Sequence, residues 1–379
     1  MKGKQGMVCM GLLLVLSSCS CHTGKQITAS GLQRKDFQTE VNGQHTDLFT
    51  LSNKQGMEVC ITNYGARVVS ILVPDRNGKR EDVVCGFSTI TEYMEQRQNF
   101  GSTVGRYIGR ILNARFTLDG VEYKLVPNNG KSGHISHGGN PGFADRIWKV
   151  EQADTHRVRL SYLSPDGENG FPGNLKVTLV YSLGEDDNAL DLTYEATTDA
   201  PTVLNLSHHS FFNISGNFTK SVEDQQLWVD ADRFTPYDDK KCVTGEYLPV
   251  AGTPLDFRMP HAIGECIDAD HPQLKVVNGY DHTWELNTKG DDTRPAAWVY
   301  DPASGRKMEI FTTEPGMQIY TGNGLKGKMT GKGGIAYPFR SAVCFETMHF
   351  QDSPNQPGFP STVLRPGEVF RSHTVYKFE

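Results

Sequence analysis

Alternation of apolar and polar side chains with a period of two constrains this chain more than any other feature. In LKVTLVYSL, residues Leu175, Val177, Leu179, Tyr181 and Leu183 fall on one face, and Lys176, Thr178 and Ser182 on the other. After the loop GEDDN (184–188), Leu190, Leu192, Tyr194 and Ala196 alternate with Asp191, Thr193, Glu195 and Thr197. The pattern predicts a hairpin with one buried face. A second hairpin is predicted from Phe116 and Leu118, then Asp119-Gly120, then Val121, Tyr123 and Leu125, because Asp-Gly supplies the positive φ angles of a tight turn. Residues 57–84 repeat the plan with a turn over 74–78.

Helical spacing is scarce: Ile90, Tyr93, Met94 and Arg97 support one short helix. The 39 glycines and 19 prolines are spread along the chain, and no stretch has the composition of an interdomain linker. Short strands separated by turns imply an all-β fold, a sandwich or barrel, formed by one large domain over residues 33–379. No repeat of fixed period interrupts it.

The amino terminus is different in kind. Lys2 and Lys4 precede a short apolar run over 7–16, too short to span a bilayer as a mature helix and therefore read as an export signal over residues 1–18. The sequence LSSC, ending at Cys19, resembles the lipobox of bacterial lipoproteins. That resemblance implies cleavage before Cys19, lipidation of Cys19, and a polar tether over 19–32. The expected location is a membrane-anchored, periplasm-facing lipoprotein of a double-membraned bacterium, in contact with the membrane through its lipid alone. A net charge of −6 argues against a nucleic-acid partner, which would need a basic footprint. Cys60, Cys85, Cys242, Cys266 and Cys344 show no metal-ligand spacing and are expected to be mostly free, buried thiols.

Several loops break the alternation with groups able to bind or move a proton. NLSHHSFFNISG (205–216) contains His208 and His209, which on their own read first as core histidines satisfied by backbone. Arg110, His137, Asp281, His282, Gln318 and Glu346 lie in other interruptions, with Trp148, Phe211, Phe212, Trp284 and Tyr320 nearby in sequence. Donors, acceptors and flat apolar faces together suit a sugar. Adjacent His208 and His209 would point opposite ways on a strand, and no H-x-H or H-E-x-x-H is present, so no metal is expected. Asp281 with Glu346 could form a glycosidase pair. A carboxylate and a histidine acting on opposite sides of a small substrate is the third chemistry open to these residues.

Six segments in order, VGRYIGRI, HGG, NLSHHSFFN, GYDHTW, EPGMQIYTGN and FETMHFQDSPNQPGFPSTVLRPGE, resemble the motifs of the aldose 1-epimerase (galactose mutarotase) family. The resemblance implies a large antiparallel β-sandwich, a free aldose as substrate, no required cofactor, and a monomer. It further implies that Glu346 is the general base at the C1 hydroxyl and His209 the general acid at the ring oxygen. Glu346 would start ionised and His209 charged, with a half-buried cleft raising the carboxylate somewhat. His137 would bind oxygens near the reacting centre, and Arg110, Asp281 and Gln318 would hold hydroxyls. His208 and His282 are expected to be structural, and the run 355–367 to close the sandwich.

Three positions depart from the family pattern. Gly109 stands in place of asparagine, Phe211 in place of tyrosine and Met348 in place of glutamine. The first removes a hydrogen bond to sugar, which leaves the sugar preference open. A catalytically silent sugar-binding lipoprotein of the same fold is the main alternative, and a phosphorylated-sugar epimerase the second. Retention of both Glu346 and His209 argues against the former, and the export signal against the latter.

Overall fold

The computed structural model describes residues 26–379, so the signal over 1–18, Cys19 and the start of the tether lie outside the described residues. The largest sheet has nine strands, all paired antiparallel. In spatial order they are Lys149–Ala153, Arg157–Ser164, Leu175–Leu183, Ala189–Thr198, Phe370–Phe378, Lys307–Thr312, Ala297–Tyr300, Gln226–Val229 and His261–Ala262. The first predicted hairpin forms its centre, with Leu175 opposite Thr198 and Leu183 opposite Leu190. Its burial alternates residue by residue, as the period-two pattern requires.

A six-stranded sheet carries Phe211–Phe212, Val343–Met348, Gly316–Tyr320, Asp281–Glu285, Arg233–Thr235 and Leu248–Pro249 in that order. Four further strands, from Leu48–Ser52 to Arg80–Asp82, form a third sheet. One continuous core joins the inner faces: Leu179 and Leu192 from the large sheet, Met317, Ile319 and Phe345 from the second, and Val59 and Ile71 from the third. Burial of such side chains from water, at roughly 25 cal/mol per Å² of apolar surface, is what favours stacking these sheets. The result is an antiparallel β-sandwich.

Local signals act as expected. Asp119 and Gly120 both take positive φ, 52° and 80°, and join the strands Arg115–Leu118 and Val121–Lys124. The short helix spans Ile90–Gln96, opened by a capping box in which Thr89 Oγ1 accepts from the Glu92 N–H and the Glu92 carboxylate accepts from the Thr89 N–H. All five described cysteines are free; Cys60, Cys85 and Cys344 are buried, whereas Cys242 and Cys266 are only half-buried. The strand Val363–Leu364, within the run 355–367, pairs with Thr202–Val203.

Candidate active site

The same alternation that builds the core also builds the cleft on the reverse face of the six-stranded sheet. In Gly316–Tyr320, Met317 and Ile319 enter the core, so Gln318 and Tyr320 face out. In Val343–Met348, Val343 and Phe345 enter the core, so Cys344, Glu346 and Met348 lie on the opposite face. Cross-strand register sets Gln318 directly opposite Glu346 and Asp281 opposite Tyr320.

The two adjacent histidines are separated by the same rule. The strand Ser207–His209 sends His208 into the core, where its ring lies 6.2 Å from Tyr181 and 6.1 Å from Tyr376 and its Nε2 bonds the Ser210 hydroxyl at 2.7 Å. His209 turns to the cleft, with its ring 5.6 Å from His137 and stacked 5.0 Å from Phe211. His209 Nε2 approaches Glu346 Oε1 to 3.5 Å, and no hydrogen bond closes the pair. His282 is fully buried against Phe234 and Tyr237, in a structural setting.

A second wall comes from a two-stranded ribbon in which Arg110–Ile111 pairs with Ile135–Ser136. Immediately after it, His137 takes a positive φ of 52°, with its N–H donated to the Gly109 carbonyl at 2.9 Å. Between the two walls lies a cavity of about 250 Å³ lined by all six of Arg110, His137, His209, Asp281, Gln318 and Glu346. Arg110 forms no ion pair among the described residues; its Nη1 reaches the Lys241 carbonyl at 3.5 Å, leaving the guanidinium available to a ligand. Asp281 Oδ1 accepts from Gln318 Nε2 at 2.6 Å, which fixes both side chains.

Burial decides the electrostatics. Glu346 is 4% exposed and His209 6% exposed, a deeper seat than the half-buried cleft anticipated from sequence. Burial, and then the neighbouring Asp281 charge, push the Glu346 carboxyl well above the usual range. Burial, and then His137, push His209 well below its own. Both directions run against the expected resting state, ionised Glu346 beside charged His209, and toward a protonated carboxyl beside a neutral imidazole. Both forms hold the same number of protons, so the pair can still pass one proton in either direction. His137 is drawn down to about 4 by burial and then by Arg110, so near neutrality it is an uncharged hydrogen-bonding group.

Sequence reasoning missed several neighbours. Asn99 and Ser136 line the cavity, as does Gln351. A Cβ at Gly109, whose φ is +75°, would lie 2.5 Å from Gln351 Cγ. The space left by the missing side chain is thus filled by Gln351, whose Nε2 donates to the Tyr237 hydroxyl at 2.6 Å and whose Oε1 accepts from the Arg110 N–H at 3.3 Å. Gly109 read alone signalled a lost hydrogen bond; the fold puts a different carboxamide at that spot. The aromatic expectation also narrows. Trp148, Trp284 and Phe212 belong to the core, and only Phe211 and Tyr320 line the cleft.

Donor atoms of His209, Cys344 and Glu346 all lie within 4.8 Å of one another, a set able to hold a soft divalent cation. The i, i+2 spacing of Cys344 and Glu346 on one strand face was the available signal. Such an ion would occupy both His209 and Glu346.

The family model described as aldose 1-epimerase matches residues 47–377. Galactose mutarotase of Bos taurus is 40% identical over 331 residues, covering 87% of this chain and 93% of that protein. Aldose 1-epimerase of Escherichia coli K12 is 36% identical over 339 residues, covering 89% and 96%. Among solved structures, an aldose epimerase homologue from C. elegans superposes with a TM-score of 0.81 at 31% identity, over 88% of this chain and 99% of the other. Galactose 1-epimerase from Lactobacillus acidophilus gives 0.78 at 28% identity, over 90% and 97%.

Proposed function

The chain belongs to the aldose 1-epimerase family, and on that premise we propose that it interconverts the α and β anomers of free aldohexoses of the glucose and galactose type. The observation that carries this reading is the pair of buried proton carriers, His209 and Glu346, 3.5 Å apart at the floor of a polar cleft.

Glu346, in its ionised form, takes the proton from the C1 hydroxyl while protonated His209 delivers one to the ring oxygen. The C1–O5 bond breaks as the C1 carbonyl forms, giving the open-chain aldehyde. Rotation about C1–C2 presents the other carbonyl face. On closure the O5 hydroxyl returns its proton to His209 and the new C1 oxygen takes one from Glu346. Each positioned proton carrier is typically worth about 10²–10⁴ in rate, enough for a reaction that already proceeds slowly in water. Neutral His137 supports the oxygens near C1 and O5, and Arg110, Asp281 and Gln318 bind hydroxyls. No step calls for a cofactor.

We propose further that residues 33–379 act as a monomeric catalytic domain on a tether, 19–32. The leader ending at residue 18 is removed, and lipidated Cys19 holds the domain at a membrane, facing the periplasm. The motif LSSC supports that address. In this scheme Cys19→Ser releases the protein from membranes on fractionation, and retention would point to another anchor. The catalytic reading is tested by polarimetry on freshly dissolved α-D-glucose and α-D-galactose with the wild type and His209→Asn. Acceleration by the wild type alone is the expected outcome, and no acceleration by either protein would overturn the reading.

A further inference from the structure

Gly109 and Gln351, far apart along the chain, share one patch of the cavity wall. A Cβ at Gly109 would lie 2.5 Å from Gln351 Cγ, 3.1 Å from its Cδ and 3.4 Å from its Cβ. Gln351 is 4% exposed and stands where a side chain at position 109 would otherwise line the cleft.

The turn that carries Gln351 is sewn to the strand of Arg110. The Asp352 N–H donates to the Arg110 carbonyl at 2.8 Å, and the Leu112 N–H donates to Asp352 Oδ1 at 3.0 Å. On the other side of Gln351, the Tyr107 hydroxyl donates to the Phe350 carbonyl at 3.0 Å. A side chain mounted on backbone fixed in this way is positioned before any ligand arrives.

Its carboxamide is unevenly used. Nε2 carries two protons and meets two acceptors, the Tyr237 hydroxyl at 2.6 Å and Gln318 Oε1 at 3.3 Å. Gln318 in turn donates to Asp281 Oδ1 at 2.6 Å, so the amide belongs to the same network as the acidic side of the cleft. Oε1 has two lone pairs but one donor among the described residues, the Arg110 N–H at 3.3 Å. Turning the amide over would set Nε2 against that N–H, donor against donor. The side chain therefore offers the cavity an acceptor and no donor.

We propose that Gln351 is a substrate-binding residue: its Oε1 accepts a hydrogen bond from a hydroxyl of the bound aldose other than the reacting one at C1, in the place that a side chain at position 109 would serve, and so helps to set the sugar preference. This deepens the epimerase reading and rests on it.

The test is polarimetry on freshly dissolved single anomers of whichever of glucose and galactose turns over faster, and of its 2-, 3-, 4- and 6-deoxy derivatives, which finds the hydroxyl without assuming how the ring lies. Gln351→Met keeps the length of the side chain and removes the acceptor. On the parent sugar it should raise KM about tenfold with kcat within about threefold of wild type. One deoxy sugar should lose about tenfold in kcat/KM with the wild type and lose nothing further with the variant, the coupling expected of a shared hydrogen bond. Gln351→Asn, which draws the acceptor back by one methylene, takes its place if Gln351→Met does not fold. From the opposite side of the contact, Gly109→Asn tolerates the positive φ but collides with Gln351; it should lose at least about tenfold in kcat/KM, and adding Gln351→Ala should regain most of that loss. Independent, additive losses for all four deoxy sugars in a folded Gln351 variant would overturn the assignment and leave the epimerase standing, as would full activity of Gly109→Asn. No acceleration of either glucose or galactose by the wild type would instead overturn the epimerase reading.

Discussion

Three residues beyond Glu346 along the chain, His349 forms the other half of a comparison. Its Nδ1 lies 2.7 Å from Glu314 Oε2, its N–H donates to Asn205 Oδ1 at 3.0 Å, and Glu314 is 2% exposed. The His209 side chain, 7% exposed, is more deeply buried than that of His349, at 23%; His209 and Glu346 stand 3.5 Å apart without a hydrogen bond, and His209 Nδ1 has no hydrogen-bond partner among the described residues. The pKa directions diverge accordingly. Burial pulls His349 down, but the Glu314 hydrogen bond and charge outweigh it and leave it raised. Nothing comparable offsets burial at His209, which is lowered. The same two residue types thus make a closed, hydrogen-bonded pair in one place and an open pair, the proposed proton relay, in the other. What separates them is whether the hydrogen-bonding capacity is already spent on protein groups or remains available to a ligand.

The largest effect should come from opening the comparison at its catalytic end. Glu346→Gln and His209→Asn each remove one proton carrier, so mutarotation kcat should fall by about 10²–10⁴ with thermal stability little changed. Glu314→Gln should do the reverse: activity within about threefold of wild type, with a loss of about 1–3 kcal/mol in denaturant unfolding. Because the folded pKa of His349 is raised, that stability is fully present below the unfolded value of about 6.5 and disappears as the pH climbs through the folded one. The Glu314→Gln deficit should therefore shrink in alkaline unfolding experiments.

Asp281→Asn sharpens the contrast without removing either proton carrier. The Asp281 charge helps to raise Glu346, so its removal eases loss of the shared proton. The alkaline limb of the kcat profile should move to lower pH, and an unmoved limb would separate Asp281 from the relay. The smallest effect is expected at His373, whose two ring nitrogens meet Asp191 at 2.7 Å and Asp292 at 2.6 Å. The Asp191 hydrogen bond, against burial and with help from Asp292, raises it to about 9. His373→Gln should lower the melting temperature slightly at pH 6, with the difference vanishing as the pH rises through 9; activity should not change.

The fold was legible wherever a rule acts within a few residues. Alternation from Leu175 to Ala196 predicted the central hairpin, and Asp119-Gly120 its smaller counterpart. Alternation also foretold that His208 and His209 would part, although only the structure shows which side is the core. The six candidate site residues line one cavity because strand alternation and register turn His209, Asp281, Gln318 and Glu346 to one side, with Arg110 and His137 on the ribbon facing them. Gln351, Tyr237 and the Glu314–His349 pair were not legible. Their meaning depends on contacts between residues far apart in sequence, as when Gln351 fills the space beside Gly109. Burial depth was equally hidden, so the protonation of Glu346 and His209 could not be fixed from residue types.

The most direct single measurement is the polarimetric decay of freshly dissolved α-D-galactose with equal amounts of wild type, Glu346→Gln and Glu314→Gln. Acceleration by the wild type and Glu314→Gln, with none from Glu346→Gln, is the expected result. Near-wild-type acceleration by Glu346→Gln, in a protein confirmed as folded, would contradict the assignment of the open pair as the proton relay.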